Sequence, residues 1–111
     1  MLSIKNEISK LTNTELAAAN AKFTPFNSKH EGYAVALEEY DEANTAFIEV
    51  YKSISELWEN IKANADNLTI KEYAGWLREE TEKTIGELFQ LAAMSQKLVD
   101  LCNVLIDEET P

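Results

Sequence analysis

The sequence predicts an all-α protein, and three observations lead there. Ala, Leu, Glu and Lys, all strong helix formers, dominate the composition; three glycines and two prolines leave few breaks; and apolar residues recur in four-three steps over two long stretches. Tight-turn dipeptides such as Asn-Gly are absent, which removes the usual signal of a β-hairpin. At 111 residues the chain has apolar content for one core, so a single domain over 1–111 is expected.

Apolar or small groups at Ile4, Ile8, Leu11, Leu16, Ala17 and Ala21 mark a first helix over 4–21, with a possible break at Thr12 to Thr14. Pro25 then ends it, because the residue before a proline is pushed away from α geometry. Ser28 and Glu31 form a Ser-x-x-Glu capping box that opens a helix over 28–63. Along it Tyr33, Leu37, Tyr40, Asn44, Phe47, Tyr51, Ile54, Trp58 and Ile61 make a heptad seam, widened by Ala36, Ala43, Val50 and Leu57. Those heptad places make Tyr33, Tyr40 and Trp58 core residues, whereas Trp76 lies off the main seam.

Asn64 to Asn67 reads as a loop, and Thr69 with Glu72 supplies a second capping box for a helix over 69–107. Its seam is Leu77, Thr81, Thr84, Leu88, Leu91, Ser95, Leu98, Cys102 and Leu105, broadened by Ile85, Ala92, Val99 and Ile106. Cys102, the one cysteine, reads as a small buried apolar group. Gly75 and Gly86 are weak points where a kink is plausible. Helices of about 35 residues span roughly 50 Å, too long for a compact domain with a radius of gyration near 13 Å. The expected architecture is an elongated helical hairpin with the N-terminal helix laid against it. Apolar faces wider than one partner covers imply a homo-oligomer, dimer or larger, in a helical bundle.

The net charge of −10 argues against nonspecific binding of phosphate backbones, so direct nucleic-acid contact is not expected. The opening MLSIKNEISKL has no run apolar enough for a signal peptide. No stretch approaches the roughly 20 apolar residues of a membrane span. A cytoplasmic protein without a membrane partner is expected.

The charge has a focus. Between Lys29 and Lys52 there is no lysine or arginine, yet Glu38, Glu39 and Glu42 crowd within two turns. Glu38 and Glu42 are an i, i+4 like-charge pair and Glu39 and Glu42 an i, i+3 pair, each costing a few tenths of a kcal/mol. A divalent cation is one reason for such crowding, since Mg²⁺ takes hard oxygen ligands and bridges carboxylates to phosphates; a solvated acidic face is the other. Further oxygen ligands must come from the facing helix, where Glu87 and Gln90 sit at i, i+3. His30, in the first turn of the acidic helix, and Lys29 stand where a helix N-terminus favours anions. They join Lys22 and Arg78 as candidate phosphate contacts.

The runs KFTPFNSKHEGYAVALEEYDEA and ELFQLAAMSQK resemble the small MazG-like, all-α nucleotide pyrophosphohydrolase-related proteins of phages and prophages. That family carries Glu-Glu-x-x-Glu on one helix and Glu-x-x-Asp on the next, and these carboxylates hold Mg²⁺. Glu38, Glu39 and Glu42 match the first element; Glu87 matches the second, with Gln90 where an aspartate would be. The spacer between Glu42 and Glu87 is also longer than the family's. The resemblance implies hydrolysis of a nucleoside triphosphate to monophosphate and pyrophosphate, with Glu38, Glu39, Glu42 and Glu87 as catalytic carboxylates and Gln90 as a neutral fifth ligand. It implies a host bacterial cytoplasm. The substitution at Gln90 permits a protein that binds and sequesters a nucleotide or host signalling nucleotide without turnover. An acidic helical inhibitor of a basic host protein is the alternative of another class.

Overall fold

The computed structural model describes residues 2–109, and these form three helices joined by two short connections. Helix α1 spans Leu2–Lys22, α2 spans Lys29–Lys62 and α3 spans Asn67–Glu109. No strand occurs among the described residues. Helix α1 runs through Thr12 to Thr14 unbroken, the Thr14 hydroxyl donating to the Lys10 carbonyl at 2.9 Å. Helix α3 likewise continues through Gly75 and Gly86.

Local chemistry sets the ends. The backbone N–H of Glu31 donates to the Ser28 hydroxyl oxygen at 3.1 Å, as an N-cap requires. The return bond goes one residue further back than a capping box predicts: Glu31 accepts from the Asn27 backbone N–H at 3.4 Å and its side-chain amide at 3.0 Å. Asn64 ends α2 in the left-handed region at φ 55°. Its N–H donates to the Ile61 carbonyl at 3.1 Å, and that of Ala65 to the Asn60 carbonyl at 3.0 Å, which is a Schellman motif. Asp66, and not Thr69, caps α3, accepting from the Thr69 backbone N–H at 2.8 Å. Side-chain and backbone hydrogen bonds from Thr69 hold the Asp66 carboxyl below its ordinary 3.8.

The chain divides into two units, Met1–Tyr40 with Leu88–Pro111, and Asp41–Glu87. The first brings α1, the start of α2 and the end of α3 together around Phe26, Ala93 and Met94, with Leu16, Ala19, Val35, Leu98 and Leu101 packed against them. Gly32 is buried here because the helices approach closely: a Cβ would lie 2.7 Å from Leu98 Cδ1 and 3.1 Å from Phe26 Cδ2. The second unit is a hairpin of the remaining parts of α2 and α3. Its buried residues are Ala43, Ala46 and Thr84, none of them large.

The inward face of α2 corrects the sequence reading. Among its half-buried and buried positions, Ala36, Glu39, Ala43, Ala46, Val50, Ser53, Leu57 and Asn60 form a seam, in the same four-three rhythm displaced by one residue. Small side chains (Ala36, Ala43, Ala46 and Ser53) occupy half of it, and they let two helix backbones draw close. The aromatic seam stands about 100° around the helix and is open: Tyr33, Leu37, Tyr40, Phe47, Tyr51, Ile54, Trp58 and Ile61 are 41–69% exposed. Tyr33, Tyr40 and Trp58 are therefore not core residues of the chain. On α3, Ile85, Leu88, Val99 and Ile106 are exposed and Cys102 only half-buried, while Ala93, Met94 and Lys97 turn inward. Trp76 is exposed and meets Tyr73 edge to face at 4.8 Å.

Candidate functional site

The acidic face of α2 enters two clefts, one in each unit. In the first unit a cleft of about 410 Å³ is lined by Glu31, Glu38 and Glu39 from α2, Gln90 and Lys97 from α3, and Phe23 from the connection after α1. Glu38 is exposed; Glu39 is half-buried because its place on the helix falls in the inward small-residue seam. Gln90 donates its side-chain amide to a carboxylate oxygen of Glu15 on α1. A carboxylate accepts only from the NH₂ end of an amide, so this bond leaves the Gln90 carbonyl oxygen as the acceptor for anything in the cleft.

In the second unit a groove of about 350 Å³ is lined by Asp41, Glu42, Thr45 and Glu49 from α2 and Lys83 and Glu87 from α3. Glu42 and Glu87, on different helices and 45 residues apart by their numbers, present carboxylate oxygens within 4.8 Å of one another. Lys83, one turn before Glu87, brings positive charge to the same groove. It partly answers the acid run that has no cation of its own on α2. Further along, Lys52 pairs with Glu49 at 3.2 Å, an ordinary exposed i, i+3 bridge.

No family model matches this chain, and neither a curated protein nor a solved structure does. The site therefore stands on its own geometry. Of the residues singled out in the sequence, Glu38, Glu39 and Gln90 line the first cleft, and Glu42 and Glu87 the second groove. His30 and Lys29 are exposed in the first turn of α2 and line neither. Lys22, in the last turn of α1, lines neither as well. Arg78 is committed elsewhere, its Nε donating to Glu82 at 2.7 Å on the exposed side of α3.

The cations that reach the acids, Lys83 and Lys97, were not picked out in the sequence. A signal existed in the spacing. Lys83 precedes Glu87 by four residues and Lys97 follows Gln90 by seven, so each shares a helix face with a candidate ligand.

Proposed function

We propose that this chain is a MazG-like nucleotide-handling phage protein, a Mg²⁺-dependent pyrophosphohydrolase that converts nucleoside triphosphates to monophosphate and pyrophosphate. The observation that carries the reading is the Glu42–Glu87 pair, two carboxylates from separate helices with oxygens within 4.8 Å. Like charges held that close repel, and a hard divalent cation between them relieves the repulsion. Glu38 and Glu39 line the other cleft, and their part in a Glu-Glu-x-x-Glu metal element is what the family resemblance implies. The donors of the Glu42–Glu87 groove fit Mg²⁺: all are oxygens, and Asp41, Glu42, Glu49 and Glu87 carry charge.

Bound there, Mg²⁺ supplies charge neutralisation for the phosphate chain and lowers the pKa of coordinated water. The chain's own carboxylates do the rest. Glu42 and Glu87 would orient the attacking water and take up its proton; the α-phosphorus gains that oxygen and loses its bridging bond to the β-phosphate, which leaves as pyrophosphate. Incubation with a panel of nucleoside triphosphates and Mg²⁺ is expected to release pyrophosphate. Glu42→Gln and Glu87→Gln should each abolish the release while leaving the circular dichroism spectrum unchanged.

A second reading, sequestration without turnover, is favoured by one specific feature. Gln90 carries no charge and its amide is engaged by Glu15. Under that reading the nucleotide is recovered intact after heat denaturation. Calorimetry that finds neither Mg²⁺ nor nucleotide binding defeats both and leaves the acidic inhibitor of a basic protein.

The proposal includes a homo-oligomer formed through the aromatic seam of α2. Its eight large side chains are 41–69% exposed, and covering about 100 Å² on each buries roughly 800 Å² per chain, the area of a standard interface. A four-three seam complements another helix of the same rhythm, and Asn44 is its single polar position, the kind that fixes register in paired helices. Light scattering should give a mass above the 12.5 kDa of one chain; a clean monomer at micromolar concentration sinks this part.

A further inference from the structure

The open seam of α2 has two unlike ends. Its eight large side chains stand along one continuous helix of 34 residues, and the charge carried with them differs between the halves. Over residues 29–45, Glu31, Glu38, Glu39, Asp41 and Glu42 are offset only by Lys29, a net −4. Over residues 46–62, Glu49, Glu56 and Glu59 stand with Lys52 and Lys62, a net −1. Glu49 and Glu59 are moreover paired with those lysines at 3.2 and 2.7 Å. Near the middle of the seam Asn44 is exposed. An amide covered by apolar groups loses its hydrogen bonds unless whatever covers it brings a polar group to the same place.

We propose that a second copy of this chain covers the seam with its own α2 antiparallel, so that the two Asn44 side chains lie beside the two-fold axis. This rests on the homo-oligomer interface proposed for the seam and adds its direction, register and stoichiometry. Charge sets the direction. A parallel pair lays the −4 half against its own copy, whereas an antiparallel pair lays it against the −1 half, and like charge brought together across an interface is costly. Asn44 sets the register. With Asn44 opposite the partner's Phe47, the two amides fall in neighbouring layers, about 4.5 Å apart along the helix, close enough to hydrogen-bond. The same register sets Tyr33 opposite the partner's Trp58, Leu37 opposite the partner's Ile54 and Tyr40 opposite the partner's Tyr51. Only Ile61 of the large side chains lies beyond the overlap. Covering the others buries roughly 700 Å² per chain, close to a standard interface. One axis relates the copies, so the assembly closes at a dimer.

Lysine cross-linking of the wild-type protein, assembled from mixed ¹⁴N and ¹⁵N chains, tests this. Lys29 and Lys62 stand at the two ends of α2, about 50 Å apart, so a short reagent cannot join them within one helix. Antiparallel pairing brings Lys29 to the partner's Lys62, and links between Lys29 and Lys62 that carry both isotopes are expected. Links from Lys29 to the partner's Lys29 in their place mean a parallel pair; they overturn the proposal while the seam interface stands. A single-chain mass by light scattering defeats the interface and this arrangement together, and a mass above two chains defeats this arrangement alone. If neither link forms, spin labels on Lys29→Cys in a Cys102→Ser background decide. One distance of about 50 Å between copies upholds the proposal, and a clearly shorter one overturns it.

Discussion

The two units of this chain use the same helices in opposite ways. Where α1 joins α2 and α3, a core forms around Phe26, Ala93 and Met94, and even a glycine and a lysine are buried with it. Where only α2 and α3 remain, the contact is made by Ala43, Ala46 and Thr84, and the large side chains of α2 face outward. A third helix supplies the concavity in which large groups can be enclosed; two helices meet along a line, and small residues make the closest line. The consequence is functional as well as structural. The three-helix unit has a cleft with an enclosed cation, and the two-helix unit has an open groove with facing carboxylates.

Cutting into the three-helix core should cost most. Phe26→Ala removes the ring that contacts both the core and Lys97, and about 3–5 kcal/mol of stability should go with it, read from urea denaturation. A comparable loss from Leu57→Ala in the hairpin would break the contrast, because Leu57 is only half-buried. Next in size is Gly32→Ala, whose methyl would meet Leu98 and Phe26 and should destabilise by roughly 1–3 kcal/mol. Gly75 and Gly86, in the hairpin, have open space where a Cβ would go. Alanine at either should stabilise by up to about 1 kcal/mol through helix propensity, so three identical substitutions report opposite signs from the two units.

Phe47→Ser and Tyr51→Ser on the open seam should change the stability of the isolated chain by about 0.5 kcal/mol or less. The same substitutions should lower the mass seen by light scattering, which separates the outward face from a core. The smallest change belongs to the hairpin loop. The Asp66 carboxyl is held below 3.8 by Thr69, so its contribution is complete above that pH and is lost as pH falls through the lower folded value. In Asp66→Asn, part of the acid-side fall in melting temperature should disappear; an unchanged profile would show that the cap does not titrate with folding.

Much of the fold was legible because it is written locally. Pro25, Ser28, Asn64 and Asp66 each act within one turn, and the helix ends lie within two residues of those expected. The second cap falls on Asp66 and not on the expected Thr69, because both residue types cap helices and only geometry shows which oxygen receives the N–H. At the candidate site, the closeness of Glu42 and Glu87 follows from a hairpin whose loop is short. The bond between Gln90 and Glu15 and the burial of Lys97 depend on where α1 packs, and nothing in the spacing of α3 specifies that.

The sequence by itself determined the number of helices, their limits and the position of the unanswered carboxylates, since composition, capping and periodicity act over a few residues. Tertiary structure alone decided which face of α2 turned inward. Two seams of identical rhythm lie one residue apart on that helix, and periodicity has no preference between them. Packing chose the small-residue seam because it brings two backbones together, and so left the aromatic seam to the outside and set Lys97 beneath the acidic cleft.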